Sequence, residues 1–385
     1  MRAALLFCLA APLAGQAPSA GSFVVRLGRD TLGIEQYRVT GTRIEGDILG
    51  RGQVVTQRHF TLTLAPNGTV SALDMSTRQP GNPTAPTVHT TWTTTGDTTV
   101  VVLTRGDSSR TLRVATPGGV LPYLGWSAIM FERYLAFGKA QVPVLSPGDA
   151  QAFAIDVARI GKDSATVTER GEAGTRVGLD AAGRALSIDG SATTEKHVAT
   201  RVDQLDFAAL AAAFANRPLG ALSPSDSVQA TIGGGSLQIV YSRPSLRGRV
   251  AMGGVLVPWN QVWRTGANAA TRLTTSTDLT VAGQKIPAGA YTLFTLPRPT
   301  GWTLIFSKQT KAPCQTAAQC ADPNRRPLWG TDYSPDSDLV RVEMQVATQS
   351  PPVEQFTITL TPRGDAVELG MAWERTVTSV ELRKR

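Results

Sequence analysis

From Phe23 onward the chain alternates between apolar and polar positions. Phe23, Val25 and Leu27 stand two apart, Leu32 and Ile34 follow the turn-forming Gly28-Arg29-Asp30, and Phe60, Leu62 and Leu64 share one face of a later run. A period of two predicts strands with one buried and one wetted side. Asn67-Gly68 separates that last run from residues 70–75, and Asn-Gly is the dipeptide that tight hairpin turns favour, because their central residues need positive φ. Residues 100–103 and 111–114 predict a further hairpin around Gly106-Asp107. Then the period changes: Leu124, Ala128, Phe131 and Leu135 recur at helical spacing, while Trp126, Ile129, Met130, Tyr134 and Phe137 fill the other faces, so this helix is expected to be buried on most sides. Strand patterns resume over residues 151–160, 165–168, 175–179, 185–188 and 198–202. One helix enclosed by strands predicts a curved antiparallel sheet or open barrel with one buried helix.

Residues 206–216 are Ala-rich and predict a short helix, and residues 217–226, with Pro218, Gly220 and Pro224, read as a linker. Beyond it the alternation is cleaner, through Leu237, Ile239 and Tyr241, then Trp302, Leu304 and Phe306, then Val340 to Val346, Phe356 to Leu360 and Val367 to Trp373. Many short strands with turns between them predict an antiparallel β-sandwich of jelly-roll-like type. The expected organisation is a signal peptide over residues 1–17, an N-terminal β-rich domain over 18–205, a helix and linker over 206–227 and a second domain over 228–385. A chain of 385 residues is long enough for two such cores.

The first residues carry an export pattern: Arg2, an apolar stretch from Ala3 to Leu13, and the small-x-small site Gly15-Gln16-Ala17, with cleavage expected after Ala17. The apolar stretch is too short to span a bilayer and no later one is longer, so a periplasmic or secreted protein without a transmembrane segment is expected. In an oxidising compartment Cys314 and Cys320 are expected to form a short disulfide clip, their spacing being wider than that of a redox C-x-x-C pair. The formal net charge is +8, yet the arginines are scattered among Asp and Glu with no dense basic run, which argues against nucleic acid as a partner.

At Tyr241 a recognisable run begins: Tyr241-Ser242-Arg243-Pro244-Ser245, Arg247-Gly248-Arg249, Leu256-Val257-Pro258, Val262-Trp263-Arg264-Thr265-Gly266-Ala267-Asn268 and Ile286 to Phe294, followed by Trp329-Gly330 and Tyr333 to Asp338. From about Val228 to Arg385 the chain resembles the bacterial family called domain of unknown function 2911. The resemblance implies an exported β-rich domain and no particular activity. It also marks a departure: relatives commonly carry Glu after the Asn of the Trp-Arg-Thr-Gly-Ala-Asn segment, where this chain has Ala269.

Candidate chemistry is sparse. The histidines His59, His89 and His197 all precede the linker, so the second domain cannot run histidine-based acid–base catalysis unaided. They have no nucleophile elbow nearby and no cysteine partners, so they are expected to be solvent-facing or core-edge residues rather than catalytic or zinc-binding ones. Asp332, Asp336 and Asp338 suit a calcium-like oxygen set, but they lack the spacing of a calcium loop and read as turn residues. No metal or cofactor is expected. The candidate ligand residues are Tyr241, Arg243, Arg247, Trp263, Arg264 and Asn268, because guanidinium, amide and phenol groups together suit a small anionic or polyhydroxyl ligand. Against that stands a purely structural role, with Arg264 tying loops together and Thr265-Gly266-Ala267-Asn268 forming a turn with Gly at positive φ. Trp259, Trp263, Trp302, Trp329 and Trp373 are the candidates for a sugar-stacking platform; Trp302 and Trp373, at alternating positions, are expected as core, and Trp259 and Trp263, flanking the arginines, are the better platform candidates. The leading expectation is a non-enzymatic extracytoplasmic binding or assembly module for a small anionic, glycan or lipid ligand, the lipid held in the concavity of the first domain. The rivals are a histidine-independent hydrolase acting on cell-envelope or polysaccharide material and a structural docking protein for envelope partners.

Overall fold

The computed structural model describes residues 19–169, 173–314, 321 and 327–385. The expected signal peptide and Cys320, one half of the expected disulfide, lie outside the described residues. The chain divides into two compact units: Met1–Arg26, Thr31–Gly190 and His197–Gly220 form unit 1, and Leu27–Asp30, Ser191–Lys196 and Ala221–Arg385 form unit 2.

Unit 1 is built on a fifteen-stranded sheet without barrel closure. Its first half is a meander of β1 (Ser19–Leu27), β2 (Asp30–Thr40), β3 (Arg43–Arg51), β4 (Val55–Leu64), β5 (Val70–Arg78), β6 (Val88–Thr95), β7 (Thr98–Arg105) and β8 (Ser108–Ala115). Its second half comprises β9 (Leu121–Pro122), β10 (Gln141–Leu145), β11 (Ala152–Ile160), β12 (Ser164–Thr168), β13 (Thr175–Leu179), β14 (Ala185–Asp189) and β15 (Val198–Arg201). The two halves join where β1 pairs with β15, Phe23 opposite Arg201, so the spatial order runs from β8 down to β1 and then from β15 down to β9. Only the β9–β10 pair is parallel among the pairings described. The alternation works as expected: Phe23, Val25, Phe60, Leu62, Leu73, Trp92 and Val101 from one face of this sheet share a single apolar core.

That core is completed by helix α1 (Ala128–Ala136), which packs on β9, β11, β12 and β14. It starts four residues later than Leu124, because Gly125 adopts φ +70 and Ser127 remains extended. Ser127 makes no side-chain cap, and the cap comes from the sheet instead. Glu35 of β2 accepts Ala128 N–H at 2.5 Å, Ile129 N–H at 3.4 Å and the Ser127 hydroxyl at 2.8 Å, satisfying the free amides of the first turn. Burial pushes the Glu35 carboxyl up to about 7, and these three donors pull against that shift. One turn along, Glu132 accepts Arg201 Nη2 at 2.6 Å and Ala185 N–H at 2.9 Å, so both acidic groups serve to fasten the helix. Helix α2 (Phe207–Phe214), capped by Asp206 at Ala209 N–H, buries Phe207 and Ala211 with Ile34, Leu49 and Val55. It therefore covers the opposite side of the same sheet and belongs to unit 1, although it falls in the segment expected to be helix and linker.

Unit 2 holds a nine-stranded antiparallel sheet made of β16 (Ser225–Ile232), β17 (Gly235–Ser242), β18 (Arg272–Thr275), β19 (Leu279–Val281), β20 (Gln284–Ile286), β21 (Gly289–Arg298), β22 (Gly301–Ser307), β23 (Asp338–Arg363) and β24 (Ala366–Lys384). The order is β16-β17-β18-β21-β22-β23-β24-β19-β20. Register shifts between Thr348 and Val353 and between Val353 and Thr357 break the long β23–β24 ladder, and such bulges bend a strand. The bend lets β16 pack against β23 and β24, so the sheet folds over one core containing Trp302, Phe306, Phe356 and Trp373. β21 and β22 are buried on both faces, because Phe294 and Ile305 on their far side meet Ala270 and Leu328 from the loops. That second, smaller core carries the loops described next.

Candidate functional site

The loop from Trp263 to Thr271 is fixed to the sheet at both ends. Trp263 and Thr295 of β21 exchange two backbone hydrogen bonds, at 2.8 and 3.0 Å, and Leu293 N–H reaches Thr271 O at 2.8 Å. Between them the backbone is strained. Thr265 adopts φ +56 and Asn268 φ +58, and for a β-branched residue the left-handed region is disfavoured by steric contact. The turn was expected to place Gly266 at positive φ; instead Gly266 is required for close approach, since a Cβ there would stand 3.0 Å from the Ser242 carbonyl. The strained form is held from several sides: Thr271 Oγ1 donates to Thr265 O at 2.6 Å, Trp263 Nε1 to Gly266 O at 3.0 Å and Thr265 Oγ1 to Thr295 Oγ1 at 3.2 Å. Strain of this kind persists only where surrounding bonds over-determine it, and it clusters at functional sites.

A second segment lies along this loop. Ala270 N–H donates to Leu328 O and Gly330 N–H to Asn268 O, both at 2.9 Å, which sets Ala269 directly opposite Trp329. Opposed residues of an antiparallel pair project to the same side. Leu328 is buried, while Trp329 is 59% exposed, the one aromatic among the strongly exposed large apolar residues described. Arg264 and Asn268 are half-buried on the same loop, and Asn268 Nδ2 donates to Ser223 O at 3.2 Å.

The remaining expected ligand residues are engaged within the fold. Trp263 is only 6% exposed, stacked on Trp373 and edge-on to Trp302 and Phe356, so it is core and not platform. Trp302 and Trp373 are core as expected, and Trp259 is half-buried. The Tyr241 hydroxyl accepts Ile358 N–H at 3.0 Å and donates to Asp226 at 3.4 Å; burial raises its pKa. Arg243 donates to Phe356 O at 3.1 Å and Thr357 Oγ1 at 2.9 Å and pairs with Asp226 at 3.2 Å. Arg247 pairs with Asp30 of the same unit at 2.6 Å, and its N–H donates to Glu354. Each of these groups is thus engaged in holding β17 and the following turns to β23 or to Asp30. Trp329 is among the tryptophans expected as platform candidates but ranks there below Trp259 and Trp263; its position near Pro327, outside any alternating run, is the sequence signal that sets it apart.

Other polar clusters serve the fold. Asp338 accepts Tyr333 OH at 2.5 Å and Arg341 Nε at 2.8 Å, and burial together with Asp338 pushes the Tyr333 hydroxyl up to about 12. His59 and His89 are exposed and His197 is buried; His59 lies 2.9 Å from Asp47. Among the described residues no three His, Cys, Asp or Glu side chains converge as metal ligands. A shallow pocket of about 340 Å³ on the outer face of β12–β14 is lined by Asp163, Ser164, Arg176, Gly178, Ser187 and Asp189. Arg176 stands directly opposite Asp189 there in the strand register.

No helix among the described residues is long and apolar enough to cross a membrane. No curated protein and no solved structure matches the chain. Residues 223–382 match the family described as "Protein of unknown function (DUF2911)", and the strained loop and Trp329 lie within the matched stretch.

Proposed function

We propose that the protein is an exported, non-enzymatic binding module whose DUF2911 domain takes a polyhydroxylated ligand, a glycan, against Trp329, with Arg264 and Asn268 as polar contacts. The observation that carries this reading is the strained Thr265–Asn268 loop, over-determined by hydrogen bonds and paired through Ala269 with an exposed indole. A rigid aromatic face costs little entropy to present, and a sugar ring offers it a row of C–H groups. Ala269 supports the reading as well. A glutamate there, as the resemblance implies for relatives, would set a carboxylate beside the indole, whereas alanine leaves the ring face open.

The test is a binding screen against cello-, chito- and malto-oligosaccharides with the wild type, Trp329→Ala and Arg264→Ala. Retention of one of these by the wild type, lost in Trp329→Ala and weakened in Arg264→Ala with both variants folded, supports the proposal. No retention by the wild type, or equal retention by all three, refutes it. Amino-terminal sequencing of the protein recovered from its host tests export, with cleavage after Ala17 expected.

A further inference from the structure

The core-facing side of β4–β8 holds a cationic group that its own fold does not answer. Arg58 stands on β4 two residues before Phe60 and four before Leu62, on the side that carries the unit 1 core. It is half-buried, and burial lowers its pKa, with no neighbouring charge contributing. No hydrogen bond or ion pair joins it to another described residue. A half-buried guanidinium without an acceptor in the protein is left to solvent or to a bound anion for its hydrogen bonds.

The cross-strand register shows what surrounds it. On one side Arg58 lies opposite Ile48 of β3, which separates it from Glu35 of β2; on the other it lies opposite Thr77, Thr77 opposite Val88, Val88 opposite Arg105 and Arg105 opposite Ser108. In the adjoining row Met75, Thr90, Leu103 and Arg110 follow one another. Arg105 and Arg110 are diagonal neighbours, and neither makes an ion pair with a described residue. This face of β4–β8 thus carries Arg58, Arg105 and Arg110 and no Asp or Glu. Beside the arginines Val88, Leu103 and Leu112 are only partly buried, unlike Phe60, Trp92 and Val101 deeper in the same face. One end of the sheet's inner face is therefore at once basic, partly apolar and incompletely covered.

We infer that this end of unit 1 binds an amphiphile with a single acidic head, a carboxylate or phosphate on an alkyl chain, whose head is held by Arg58 and whose chain lies along Val88, Leu103 and Leu112. A guanidinium fork matches either headgroup with two parallel hydrogen bonds, and Arg105 and Arg110 add attraction at the rim. The partly covered valine and leucine side chains distinguish this ligand from a free anion, since only an alkyl chain gains by covering them.

The experiment is calorimetric titration of the full chain with dodecanoate and dodecyl phosphate, and with dodecanol and inorganic phosphate as separate arms. Saturable binding of dodecanoate or dodecyl phosphate, at least tenfold tighter than either control, is expected. Arg58→Met should lower that affinity tenfold or more while leaving thermal stability equal or higher, because the charge it removes has no protein partner. Arg105→Gln with Arg110→Gln, both at exposed positions, should weaken binding severalfold without affecting folding, and this arm holds even if Arg58→Met fails to fold. The inference is overturned if neither acidic amphiphile binds, if dodecanol or inorganic phosphate binds as tightly, or if all variants bind like the wild type. A folded Arg58→Met that is markedly less stable also overturns it, because Arg58 would then be a structural group.

Discussion

The carboxylate of Glu35 on β2 caps the backbone N–H of Ala128 at the start of α1, a residue 93 positions away in the chain. The contact is fully buried, and it ties α1 to a carboxylate whose charge can be neutralised.

Glu35 titrates near 4.5 when unfolded and near 7 in the fold. Between those values the folded chain keeps a proton that the unfolded chain has released, so the group's contribution to stability is complete below the lower value. It is lost as pH rises through the upper one, a swing of about 3 kcal/mol. Glu35→Gln retains an acceptor for the helix amides and removes the titration. Urea unfolding at pH 5 and pH 8.5 should show the wild type losing that amount relative to the variant; parallel pH profiles would contradict the assignment.

Trp263 lies in a cluster of four aromatic rings with Trp302, Phe356 and Trp373. Trp263→Ala should cost about 3–5 kcal/mol of stability, as large-to-small changes in a packed core do. Trp329→Ala, at an exposed ring, should change stability by less than about 0.5 kcal/mol. Chemical denaturation of the two variants separates core from surface, and comparable losses would mean that the Trp329 ring is packed after all.

Thr265 offers a contrast within one residue. Thr265→Ala keeps the positive φ and loses the hydroxyl bonds to Thr295 and to the Trp263 carbonyl, for an expected loss of about 1–2 kcal/mol. Thr265→Gly loses the same bonds but relieves the backbone strain, so it should be the more stable of the two by about 1 kcal/mol. Alanine outperforming glycine in thermal melts would show that the loop is unstrained.

Much of the secondary structure was legible because both units bury one face of each strand, and the period of two survives in runs such as Phe60-Leu62-Leu64. The start of α1 was misplaced because Leu124 and Trp126 fit the helical period although Gly125 turns the chain between them. Register was not legible at all. Arg58 shares the parity of Phe60 and so could be placed on the core side, but the absence of a carboxylate among its neighbours depends on how β4 to β8 align. The candidate site was half legible: Arg264 and Asn268 lie half-buried on the strained loop, whereas the side chains of Tyr241, Arg243 and Trp263 are taken up by contacts within the fold. Alternation cannot tell a tryptophan that fills a core from one that rides on its rim.

The seam between β1 and β15 bears on how unit 1 assembles. Hairpins from β2 to β8 can zip as soon as they leave the ribosome, since each pairs with its immediate predecessor. The free side of β1 must wait for β15, nearly the last strand of the unit to be made, and closing so long a loop is the slow kind of step. Until then the outer edge of β1, which carries Phe23 and Val25, borders a half-built sheet, ready to pair with the wrong neighbour. Newly made chains are accordingly at greatest risk of misassembly just before Arg201 arrives opposite Phe23.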